Sequence, residues 1–195
     1  MNIRLSSFLL LAGFALLVML LSVEADEEAD EVEADEEADE VEADEEANEG
    51  PGPQMRLAGS YDTSGYARGV AVSGGYAYVA DGFRGLVVVD VSDPANSTRA
   101  GGYAYVIYAY GVAVSGGYAY VADGNGGLLV VDVSDPANPT RAGGYDTSHY
   151  VYGVAVAGRH AYVADGNGGL VVVDVSDPTN PTYAGGYDTP DFAYD

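Results

Sequence analysis

The side chains most capable of chemistry in this chain return every 42 residues. Asp81, Asp123 and Asp165 each precede a glycine. The second and third copies read Asp123-Gly-Asn125-Gly-Gly and Asp165-Gly-Asn167-Gly-Gly. Carboxylate and amide oxygens in a Gly-rich loop are the hard donors that Ca2+ takes. The spacing lacks the later ligands and distal Glu of an EF-hand loop, and it is not the nonapeptide of Ca2+-binding β-rolls. Asp-Gly and Asn-Gly are equally the residues of tight hairpins, because they tolerate left-handed backbone. The first copy has Phe83-Arg84 in place of Asn-Gly, which a metal loop accepts poorly. The expectation is turn geometry, with Asp123, Asn125, Asp165 and Asn167 as the set a Ca2+ ion would use if one binds. No other cofactor is expected.

Asp90, Asp132 and Asp174 end apolar runs. A half-buried carboxylate there needs a hydrogen-bond partner, for which a backbone N–H or a Tyr hydroxyl is expected. His149 and His160 occur only in the third copy. Ser73, Ser115 and Ser134 sit in turns without a nucleophile elbow. The chain has no Cys. No nucleophile, base and orienting group converge in the sequence, so no catalytic residue is assigned and an enzyme is not expected. Tyrosine is the abundant functional side chain, with 17 copies and no Trp. Tyr66, Tyr108 and Tyr150 fall in segments that differ most between copies, as does His149. These four form the candidate partner surface, set against simple packing between repeats.

The elements that must position these residues follow from the repeat. Gly69-Val-Ala-Val-Ser-Gly-Gly-Tyr-Ala-Tyr-Val-Ala-Asp-Gly82 recurs unchanged from Gly111 and, as GVAVAGRHAYVADG, from Gly153. One unit holds four short strand candidates: Arg68–Val72, Tyr76–Ala80, Leu86–Val91, and a fourth led in by Thr98 to Tyr103. Ser73-Gly74-Gly75 and Ser92-Asp93-Pro94 read as turns, and Pro is confined to loops. Four antiparallel strands in a repeat of this length are the pattern of a β-propeller blade, with a β-solenoid second. The small residues of the first strand suit the crowded axis. The all-apolar third strand suits burial between neighbours on both faces.

The runs Leu86-Val-Val-Val-Asp90, Leu128-Leu-Val-Val-Asp132 and Leu170-Val-Val-Val-Asp174, each followed by Val-Ser-Asp-Pro, resemble the LVIVD repeat. That resemblance covers residues 56–195. It implies propeller blades and a bacterial or archaeal cell-surface setting, and no catalytic residues.

Inner, second and third strands each occur three times. The fourth-strand sequence occurs four times, at Arg56–Asp62, Arg99–Tyr105, Arg141–Asp146 and Tyr183–Asp188. The expected fold is therefore all-β: three four-stranded antiparallel blades plus one spare outer strand, an incomplete ring. Since a closed propeller needs about four blades or more, self-association to complete the ring, truncation of a longer protein and an open wedge all follow as outcomes.

Charge divides the chain. The formal net charge is −24, and 17 of the 31 acidic residues lie between Glu24 and Glu49. There is no Lys, and phosphate backbones would be repelled, which excludes a nucleic-acid partner. Residues 1–25 read as a signal peptide, with Arg4 before the apolar run Phe8–Leu21 and cleavage after Ala25. Uncleaved, this run would be the chain's one membrane anchor. Residues 26–53 continue a nine-residue repeat, VEADEEADE, and read as a disordered acidic spacer, since like charges repel and little apolar surface is present. Gly50-Pro51-Gly52-Pro53 marks the boundary to a blade domain at 54–195. Asn96-Ser97-Thr98 is an N-glycosylation acceptor sequence. The functional expectation is a non-catalytic, secreted or cell-surface module for protein interaction, scaffolding or adhesion, with a protein or envelope partner. The alternative is a Ca2+-dependent binder or hydrolase-like enzyme acting in a fuller propeller.

Overall fold

The structure, a computed structural model, describes residues 55–106 and 108–194. The signal peptide and acidic spacer expected at 1–53 lie outside the described residues. The chain divides between Gly50 and Pro51, and every described residue belongs to the second unit.

Twelve strands form three sheets of four. Blade 1 comprises β1 (Gly69–Ser73), β2 (Tyr76–Ala80), β3 (Leu86–Asp90) and β4 (Thr98–Tyr103). Blade 2 comprises β5 (Gly111–Ser115), β6 (Tyr118–Ala122), β7 (Leu128–Asp132) and β8 (Thr140–Tyr145). Blade 3 comprises β9 (Gly153–Ala157), β10 (His160–Ala164), β11 (Leu170–Asp174) and β12 (Thr182–Tyr187). Within each blade the strands pair in sequence order, all antiparallel. The expected blades are present, with ends shifted by about a residue.

Local chemistry sets these registers. Gly74 and Gly75 both have positive φ, +58° and +81°, the two-residue turn whose twist matches the flanking strands. The third and fourth strands carry a bulge in every blade. In blade 1, Val88 faces Gly101 while Val89 faces Arg99, so Ala100 is the extra residue. The Ser-Asp-Pro turn is closed by Asp93, whose Oδ1 accepts from the Ala95 N–H and whose Oδ2 accepts from Asn96 Nδ2. Asp90 caps the same corner. Its Oδ1 accepts from both the N–H and the hydroxyl of Ser92 (2.9 and 2.6 Å), which holds its carboxyl below the usual range. The same bonds recur at Asp132 and Asp174. A backbone N–H is the partner expected from the sequence. The second partner is a neighbouring Ser hydroxyl rather than a Tyr.

The blades stack side by side with their inner strands adjacent. A Cβ on Gly69 would lie 3.1 Å from Gly111 Cα, and one on Gly111 3.3 Å from Gly153 Cα, so backbone packs on backbone at the axis. Tyr78, Ala80, Leu86 and Val88 of blade 1 meet Ala119, Val121, Leu129 and Val131 of blade 2. The corresponding face of blade 2 (Tyr120, Ala122, Leu128, Val130) meets Ala161, Val163 and Val173 of blade 3. Alternate residues of one strand thus serve two interfaces, and each fully buried Val or Leu contributes about 1.5–3 kcal/mol. The spare outer-strand sequence at 56–62 forms no strand, and among the described residues no third strand precedes it to supply a ladder. Among the described residues, no helix is long and apolar enough to cross a membrane.

Candidate functional site

Asp81, Asp123 and Asp165 are the buried polar residues of the core. Sequence reasoning placed them in ordinary turns. The structure gives them a second task, which is to hold the crossover that enters their own blade. Thr63 donates to Asp81 Oδ1 (2.7 Å), the Tyr108 N–H donates to Asp123 Oδ1 (2.8 Å), and His149 Nδ1 lies 3.5 Å from Asp165 Oδ2. The next residue, glycine, holds the following crossover from the other side. Gly82 exchanges two backbone bonds with Ala109, and the bridge repeats between Gly124 and Val151 and between Gly166 and Ala193. Asp81-Gly82 and Asp123-Gly124 therefore each join two blades, and Asp165-Gly166 holds the segment that follows β12. Asp123 and Asp165 are buried, whereas Asn125 and Asn167 of the same loops are exposed. Among the described residues, no three His, Cys, Asp or Glu side chains gather as a metal would require.

Held in this way, the crossovers line up aromatic rings at one end of the blades. Phe83 packs edge-on against Tyr108 (4.4 Å between centroids), and Tyr108 against Tyr110 (4.6 Å). Tyr110 meets Tyr152 at 5.1 Å, Tyr152 meets Tyr194 at 5.1 Å, and Tyr194 stacks on Phe192 at 5.8 Å. Tyr150 lies beside both Tyr110 and Tyr152. The result is an arc of rings across all three blades, each contact of the kind that adds about 0.5–1.5 kcal/mol. Arg68 closes one end. Its guanidinium sits 5.5 Å from the Tyr108 centroid and donates to the Tyr108 hydroxyl at 3.0 Å. Burial, then neighbouring tyrosines, pushes the Tyr110 phenol above its ordinary value, with Arg68 opposing.

Below the arc lies an open cleft of about 600 Å³. Arg68, Tyr110, Tyr152 and Tyr194 line it together with Val70, Val112 and Val154 of the inner strands. The arginine and the three tyrosines occupy one repeat position, immediately before the first residue of an inner strand or, for Tyr194, where a fourth would begin. Sequence reasoning singled out Tyr108 and Tyr150, which belong to the arc, and His149, which contacts Asp165. Tyr66 is exposed at the start of the array. It missed Tyr110, Tyr152 and Tyr194. The signal was available: a bulky residue held in phase just before glycine at the axis.

The LVIVD repeat matches three times, at residues 64–104, 108–147 and 149–189. The chain belongs to the LVIVD repeat family. Each match runs from a crossover through the outer strand, so the family's unit is one structural blade plus the segment that leads into it. No curated protein matches the chain. In this LVIVD protein the leucine of the motif is buried in blades 1 and 2 and half-buried in blade 3, the valines alternate between two faces, and the aspartate forms the Ser corner.

Proposed function

We propose that this LVIVD protein is a non-catalytic, exported binding module whose working surface is the crossover end of the blades. The observation that carries this reading is the aromatic arc over the axial cleft. Tyr and Arg supply large, amphipathic contact area with few torsions to freeze, and they dominate the energetics of recognition surfaces. The cleft is lined by Val, Tyr and Arg, which suits a partner with apolar or planar groups, either a protein or an envelope polymer. Export rests on the signal-like residues 1–25, and the acidic stretch 26–53 serves as a solvated spacer.

The test uses the full-length mature chain on a biosensor against protein and polysaccharide fractions of the producing cell's envelope. Tyr110→Ala with Tyr152→Ala lowers the thermal midpoint through the lost ring contacts and, measured well below that midpoint, weakens binding at least about tenfold. Binding to every fraction that ignores both substitutions would sink the reading. In this function no metal is required, so melts with Ca2+ and with EDTA superimpose. A midpoint raised by Ca2+ moves the site to the Asp-Gly-Asn-Gly-Gly loops.

A further inference from the structure

Each blade seats its outer strand on the next blade through one glycine. Gly101 of β4 lies against the carbonyls of Pro136 and Ala137 in blade 2, and Gly143 of β8 against those of Pro178 and Thr179 in blade 3. A Cβ at either position would run into that backbone. Gly59 stands in the same relation to Pro94 and Ala95 of blade 1, although among the described residues no blade precedes it. The next glycine in the series, Gly185 of β12, has open space around it. One seat is thus filled without a blade, and one blade has no seat.

We propose that residues 56–62 are a stand-in for the outer strand of a preceding blade, and that blade 3 of a second copy displaces them to join two chains head to tail. The two surfaces already bind each other twice inside the chain. The free face of blade 3 carries Tyr162, Leu170, Val172 and Tyr187 where blade 2 uses Tyr120, Leu128, Val130 and Tyr145 to grip its neighbour. Tyr162 is 37% exposed and Tyr187 68%, against 4% for Tyr120. The receiving face of blade 1 carries Val79, Val87 and Val89, repeating Val121, Leu129 and Val131.

The stand-in covers only part of that face. It runs from the Pro94 turn to Thr63 at Asp81, and Val79, Val87 and Val89 are buried. Val70 and Val72 on the inner strand are left 63% and 68% exposed, where Val112 and Val114 of blade 2 pack against a neighbour. The stand-in has no strand ladder, and its Leu57 side chain is exposed. Its hold is slight beside that of a complete blade.

At the junction the exchange is reciprocal. β12 of one copy takes the seat of Gly59 on the other, and that copy's Thr63–Arg68 crossover replaces residues 188–194 on the Gly166 loop. Three blades from each chain give six, within the range of closed propellers, and two identical heterologous contacts close the ring. The inference rests on observations other than the arc, but it reshapes that surface, since the second copy's Tyr66 and Arg68 take the repeat positions of Phe192 and Tyr194.

The test compares sedimentation of three full chains across concentration: the natural sequence, a form lacking residues 56–62, and Gly185→Val. Removing 56–62 shifts the chain toward dimer with self-association tightened about tenfold or more. Gly185→Val points into open space in the monomer and leaves its melt unchanged, but it abolishes the dimer in either background. A shortened chain that stays monomeric, or a dimer indifferent to Gly185→Val, overturns the proposal. If the shortened chain loses its cooperative melt, the natural chain decides. Association below about 1 mM that Gly185→Val removes supports the proposal, and a monomer throughout that range overturns it.

Discussion

Blades 2 and 3 are nearly the same sequence in different company. Their strands have the same lengths, their registers match residue for residue, and the bulge falls at the same place. Yet Leu128 and Val130 are fully buried, while Leu170 and Val172 are only partly so. Ladder, turn and corner are therefore written within one unit, and burial is contributed by the neighbour. A blade at the end of an array keeps its shape and forgoes part of its stabilisation, as nearest-neighbour accounts of repeat proteins require.

Substitutions placed at matched positions sharpen or break that contrast. The largest difference is expected for leucine. Leu128→Ala costs about 3–4 kcal/mol through lost burial and a residual cavity, and Leu170→Ala about half as much. Equal losses in chemical denaturation would mean that blade 3 is already covered in solution. Next comes the outer-strand glycine. Gly143→Val forces a methyl group into the carbonyls of Pro178 and Thr179 and costs about 2–3 kcal/mol. Gly185→Val stays within about 0.5 kcal/mol. A comparable drop in midpoint for both would deny that the seat of Gly185 is empty.

Near neutrality the smallest effect should be the same in both blades. Ser134 and Ser176 bond Asp132 and Asp174 alike, and the hydroxyl bond is the leading cause that holds each carboxyl below 3.8. A folded-state value depressed below the unfolded one contributes stability above pH 3.8, and this is lost as pH falls through the folded value. Ser134→Ala and Ser176→Ala therefore each lower the melting midpoint slightly near neutrality, and each deficit closes under acid. Asp174 also faces Arg159 at 3.5 Å and His160 within its own blade, which Asp132 lacks, so its profile extends to lower pH, and a Ser134→Ala deficit that persists under acid would break this account.

The blade was legible in the sequence because its signals are local. Gly-Gly turns, the alternation of Tyr-Ala-Tyr-Val-Ala and the Val-rich third strand all act within a few residues. Three copies made the period plain. The roles of the aspartates were not legible in the same way. Asp90 ends an apolar run and looks buried, yet it is satisfied at the surface by Ser92 two residues on. Asp81 sits between alanine and glycine and looks like a turn, yet it is buried against a crossover 18 residues away. Pattern reports the chain's immediate surroundings, and these carboxylates are placed by contacts it does not see. Tyr110 and Tyr152 escaped for a related reason. Their repeat position before an axial glycine was visible, but the contacts that join Tyr110, Tyr152 and Tyr194 cross between repeats, so spacing within one unit does not reveal the arc.

Among the described residues no strand ladder crosses from one blade to the next; the bridges that do are the single ones at Gly82 and Gly124. That has a consequence for inheritance. Recombination between near-identical copies of the gene segment adds or deletes one whole unit, and the encoded protein loses no paired strand in the process. Blade number in such a lineage is free to drift between generations. Selection on it then acts through what the two ends of the array meet, rather than through whether the remaining units fold.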